Sequence, residues 1–157
     1  MSRHPIGLFL LLAGNLLVIV ALFAPWFDVF KLNDPSFPFP KRGYSPWIVL
    51  QSGQFGTLGV ATWVFLLLIL VMALSSLALA LARTAHRRSQ ARLIALAMAV
   101  IGLVMMVLFV PLIPTGLSFS WPYLSSDVVY GVYLAVAGFV SVLIGLATLA
   151  SARVRRE

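Results

Sequence analysis

The chain contains no cysteine. That excludes a disulfide framework, thiolate metal ligands and a cysteine nucleophile. Acid is nearly as scarce: four Asp and Glu stand against eleven Lys and Arg. Only Asp28 and Asp127 offer two carboxylates placed to approach each other, where they could bind a cation or relay a proton. A surface acid or helix cap is the simpler role for each, with Lys31 a partner for Asp28. Catalytic signatures are absent too: no H-E-x-x-H, no P-loop, no G-x-S-x-G and no dinucleotide fingerprint. His4 and His86 fall in arginine-bearing segments, not in the apolar runs where haem ligands sit. No charge interrupts any long apolar run, although transporters and pumps usually keep an ionisable residue at membrane depth. These absences predict a protein that is not an enzyme, with no catalytic, cofactor-binding or metal residues and no cofactor.

What is present is apolar. Of 157 residues, 62% are hydrophobic and 10% charged; soluble domains average about 25% charged. This is the composition of an integral membrane protein, and the length suits one membrane domain, 1–157. The net charge of +7 comes with no basic face interleaved with stacking aromatics, so nucleic acid is not an expected partner. Membrane lipids are, because the positive charge sets topology and meets anionic head groups.

The segment 83–92 organises the rest. Arg83, Arg87, Arg88 and Arg92 crowd ten residues between two apolar runs. Such a cluster must sit in water, and short Arg-rich loops stay cytoplasmic. Four spans follow, at about 6–24, 57–82, 93–110 and 128–150. The first covers roughly 29 Å at ~1.5 Å per residue, too long for a signal-peptide core, and reads as a retained span. The outer loops are 25–56 and 111–127, with Pro111 and Pro114 ending the third span. Counting by side gives eight basic residues inside and three outside. Both termini are therefore expected in the cytoplasm, and nine arginines against two lysines with no cysteine suit a GC-rich bacterium, so the expected location is a bacterial inner membrane.

Two spans carry small-residue seams. Gly7, Gly14 and Ala21 recur every seven residues in the first, and Gly131, Gly138 and Gly145 in the fourth. Small residues at that spacing line one face and admit another helix closely. Asn15 is the one strongly polar group in its span, and is expected to hydrogen-bond another helix. Met105 and Met106 read as packing side chains.

Loop 25–56 is rich in proline and aromatics. Segments 26–32 and 47–51 read as a hairpin and 117–121 as a third strand, while Ser125, Ser126 and Asp127 resemble a helix N-cap. Every Trp and Tyr falls in the outer half. Trp26, Trp47, Trp121 and Tyr123 are candidates for an outer docking surface. The fold class expected is an all-α four-transmembrane-helix bundle with a small outer β-hairpin or three-stranded sheet.

Trp26 and Trp47 in a long aromatic first loop, four spans, inner termini and a shorter second loop together resemble the claudin-like tetraspan architecture. The resemblance implies a small sheet built from the two outer loops. The paired cysteines and Gly-Leu-Trp of claudins are missing here, so no functional residue carries over. The functional expectation is a non-enzymatic accessory or scaffold subunit of a larger membrane complex, an energy-transducing one being a suitable setting. Its partners are other membrane subunits, because two packing seams exceed what a minimal bundle requires. A small oligomeric transporter or channel with a polar stripe through Asn15, Ser75, Ser76, Ser141 and Thr148 is one alternative. A lipid- or pigment-binding protein is another.

Overall fold

The computed structural model describes residues 5–31, 43–52, 57–82, 84–120, 124–128 and 130–154. In chain order these form α1 (Pro5–Ala21), β1 (Phe27–Lys31), β2 (Gly43–Tyr44), α2 (Pro46–Ser52), α3 (Thr57–Leu81), α4 (Ala85–Ser120), β3 (Leu124–Val128) and α5 (Tyr130–Val154). The protein is a helical bundle of four apolar helices. Three carry stretches long and apolar enough to cross a membrane: Thr62–Leu81, His86–Leu108 and Tyr130–Ser151. At 17 residues α1 is shorter, about 25 Å at ~1.5 Å per residue. Uncharged runs of Leu, Val, Ile and Ala favour helix in lipid, where backbone groups must find partners within their own segment.

The helix ends are fixed locally. Past Ala21, the amides of Leu22 and Phe23 donate to the carbonyls of Ile19 and Val20, tightening the last turn, and Pro25 follows. The span expected over 6–24 therefore ends as helix at Ala21. Ser45 Oγ accepts the Ile48 amide at 3.3 Å and starts α2, with Pro46 in the first helical position, where its missing N–H costs nothing. The expected strand over 47–51 is thus a helical turn. A short apolar run has no periodicity to separate strand from helix, and the Ser-Pro start decides it.

The arginine-rich loop is also mostly helix. Only Ala82 to Thr84 separates α3 from α4. Thr84 caps the new helix, its Oγ1 accepting the Arg87 amide at 3.4 Å. Arg88 Nε reaches back 2.8 Å to the Ala82 carbonyl, a cation on the negative end of the α3 dipole. At its far end α4 does not stop at Pro111 and Pro114, but runs on to Ser120. Each proline removes one amide donor, yet its fixed φ is helical. The segment 117–121 expected as a strand accordingly lies in α4 through Ser120, and the third strand is β3, at the residues expected to cap the last helix.

The sheet has the order β2-β1-β3. Central β1 runs antiparallel to both neighbours, Phe27 opposite Tyr44 on one side and Val128 on the other. In the bundle, α1 packs most extensively on α5, α3 on α4, and α4 on α5, with α1 on α3 the slightest of the four interfaces. The helices so close a ring. Its axis is filled by Leu11, Val18, Met72, Phe139, Val142 and Leu146, all buried. In lipid this burial gains little from leaving water, because the alternative surroundings are equally apolar, and close packing decides which helices pair.

Candidate functional site

The closest packing lies between α1 and α5. The helices run antiparallel, so the two glycine heptads meet in reverse order. A Cβ on Gly14 would sit 2.6 Å from the Gly138 carbonyl oxygen, and one on Gly138 2.8 Å from the Gly14 oxygen. One on Gly145 would lie 2.8 Å from the Gly7 oxygen and 2.7 Å from the Leu11 nitrogen. On Gly131 it would strike the Pro25 carbonyl, which accepts the Gly131 amide at 2.9 Å. Ala21 is fully buried at the same end. The obstacles are mostly backbone, which cannot swing aside as a side chain does. Gly7, Gly14, Gly138 and Gly145 thus meet across one internal seam, with Gly131 against Pro25 and Ala21 buried at its end. This corrects the inference that two seams exceed the needs of the bundle: each is the other's partner, and neither is left over for a second subunit.

Sequence reasoning overlooked Phe139. It is fully buried, and its ring lies where a Cβ on Gly102 of α4 would go. The available signal was Gly138 beside it, since a large residue next to a close-approach glycine points to the adjoining helix. Phe65 stands 6.0 Å from Phe139 and 5.2 Å from Trp26, both pairs edge-on. Trp26 is only 8% exposed, and its Nε1 donates to the Ala21 carbonyl at 2.6 Å. It caps α1 and plugs the bundle, so it is not part of a docking surface. Trp47 differs: it is 42% exposed and its ring lies 5.5 Å from that of Phe23, tilted at 44°, Phe23 being itself 58% exposed. The Trp47 amide donates to the Leu22 carbonyl, which fixes α2 against the end of α1. Trp121 and Tyr123 lie outside the described residues.

Inside the bundle, Asn15 is 6% exposed. Its Nδ2 donates to the Leu11 carbonyl at 2.7 Å and to Ser76 Oγ at 3.0 Å. The expected interhelical bond therefore forms, and it crosses the slight α1–α3 interface. Among the described residues Asn15 Oδ1 is buried with no hydrogen-bond partner. Two of the other side chains proposed as a stripe, Ser75 and Thr148, bond within their own helices. Ser75 Oγ donates to the Met72 carbonyl at 2.9 Å, and Thr148 Oγ1 to the Gly145 carbonyl at 2.8 Å.

At the arginine end, Arg87 is exposed and Arg92 half-buried, while Arg88 holds the α3 terminus as described. Arg83 lies outside the described residues. At the sheet end the backbone register sets Asp28 opposite Asp127. Like charges at opposite positions of an antiparallel pair disfavour the pairing. Among the described residues no group of three or more His, Asp or Glu could hold a metal. Compared with known proteins, the chain matches no protein family, no curated protein and no solved structure.

Proposed function

We propose that the chain is a non-enzymatic accessory or scaffold subunit of a larger membrane complex, and that its sheet end meets the partner. The exposed Phe23–Trp47 pair carries this reading. Aromatic residues are enriched at protein interfaces, and this pair is held in place by backbone bonding of α2 to α1. A sheet ordered β2-β1-β3 beside it supplies a structured surface, and is the feature that favours a claudin-like architecture. The glycine seam no longer argues for a partner; its role in this reading is to make the scaffold rigid. The transport alternative is weakened by Ser75 and Thr148, which hydrogen-bond carbonyls of their own helices and not one another.

The same proposal includes four spans with the arginine end and both termini in the cytoplasm of a bacterial inner membrane. The cysteine-free chain makes orientation simple to test. Single cysteines at exposed positions Gln51 and Ser89 should be labelled from opposite sides by a membrane-impermeant maleimide. Labelling of both from one side rejects the topology. For the function, the native protein is purified in mild detergent and co-migrating proteins are identified by mass spectrometry. A stoichiometric membrane partner that is lost when Phe23 and Trp47 are both changed to Ser is the expected result. Recovery of the chain alone rejects the accessory reading.

A further inference from the structure

The arginine end of α4 carries exposed Arg87 beside Arg88 and half-buried Arg92. The chain's acids are Asp28, Asp34, Asp127 and Glu157. Asp28 and Asp127 lie in the sheet, at the far end of the bundle from the α3–α4 turn. The helix there also has distinct faces. Arg88 is directed to the Ala82 carbonyl, while Ala91 and Ala95 are buried in the bundle. His86, Arg87 and Gln90 are exposed. Four residues after Gln90 on the same face comes exposed Ile94, followed at intervals of seven by Ile101 and Leu108, the isoleucines 44% and 45% exposed and the leucine 57%. Spacings of seven keep these side chains nearly in line. From Ile94 to Leu108 the face rises about 21 Å at ~1.5 Å per residue, most of one leaflet and part of the next. One helix face thus begins with a cation and amide donors and continues as an apolar track.

We propose that this face is a binding site for an anionic phospholipid, with Arg87 and Gln90 on the head-group phosphate and Ile94 and Ile101 along an acyl chain. Charge complementarity selects the occupant. A zwitterionic lipid brings its own cation to the surface and gains less from Arg87. Arg92, five residues after Arg87, falls on the opposite flank of the buried Ala91–Ala95 stripe and belongs to a different face. The inference concerns the lipid and does not depend on the accessory-subunit reading.

The test uses the full chain in nanodiscs of equal phosphatidylglycerol and phosphatidylcholine. Lipids retained after release into detergent are counted by native mass spectrometry. The wild type should retain phosphatidylglycerol in preference to phosphatidylcholine. Arg87→Gln should lower that preference roughly fivefold, the equivalent of about 1 kcal/mol per arginine at an anionic surface. Arg92→Gln should leave it within twofold. Circular dichroism and the thermal midpoint confirm that both variants fold, which is expected because Arg87 is exposed and Arg92 is only half-buried. No preference in the wild type overturns the proposal. Equal losses in the two variants also overturn it, since they would mean attraction to the summed charge with no located site.

Discussion

Replacing Gly138 by Ala adds one methyl group, and two effects of opposite sign compete. Alanine is the better helix former, by about 0.5–1 kcal/mol in a helix interior. Against that, the new Cβ would lie 2.8 Å from the Gly14 oxygen and 2.9 Å from the Val18 nitrogen, where ordinary contact begins at 3.4 Å. A third and nearer obstacle, Val18 Cγ2 at 2.5 Å, is a side chain, but these two are backbone, so relief requires α1 and α5 to part by roughly 0.5–1 Å, a gap that forfeits a quarter to a half of each affected dispersion contact. The separation is felt along the seam, because Gly7 and Gly145 share the same two rigid helices. Overpacking of this kind costs about 1–3 kcal/mol, so sterics win, and the net loss should be about 1–2 kcal/mol. Thermal unfolding in detergent should show a midpoint lower by about 3–6 °C on the scaling for chains of this size. Gly138→Leu should prevent the seam from closing and abolish the folded species. Ala137→Leu, one residue away on the exposed face, should leave the midpoint within a degree or two. A Gly138→Ala protein as stable as the wild type, or a matching loss in Ala137→Leu, would refute the seam argument.

Three further outcomes follow from the same geometry. Trp26→Phe should cost about 1 kcal/mol, the net worth of its hydrogen bond to Ala21, and Trp26→Ala about 3–5 kcal/mol, whereas Trp47→Ala, on an exposed side chain, should stay within about 0.5 kcal/mol; unfolding midpoints that rank the two tryptophans the other way reject their assigned roles. A double-mutant cycle of Asn15→Ala and Ser76→Ala should give a coupling near 0.6 kcal/mol, the mean for hydrogen bonds between membrane helices, and a coupling of zero would remove the bond. Arg88→Gln should lower the unfolding midpoint by more than Arg87→Gln does, because only Arg88 is bonded to the α3 terminus at Ala82; equal effects would show that the bond contributes nothing to the turn.

The sequence by itself determined the features that depend on one segment at a time. Apolar runs without charge dictate membrane helices, whatever their neighbours. The arginines of 83–92 dictate a polar turn between two of them. Heptads of glycine dictate that α1 and α5 each present a face with no side chains in the way. Asn15, alone in an apolar run, dictates that some other helix supplies a partner. Tertiary structure decided everything that is a choice between segments. A periodic small face reveals that a helix can be approached, but not by which one, and the two seams select each other because antiparallel α1 and α5 bring both sets of glycines into register. Trp26 and Trp47 are the same residue type in the same loop, yet one is buried because α1 ends with a free carbonyl beside Phe65 and the other faces outward from α2. The short apolar run at 47–51 and the proline-bearing end of α4 lack the length or periodicity that separates helix from strand. Their conformation follows from a Ser-Pro start in the first case, and in the second from proline dihedrals that permit a helix to continue. The partner of β1 was equally undetermined: pairing depends on which strand the end of α4 delivers alongside it, and that strand is Leu124–Val128.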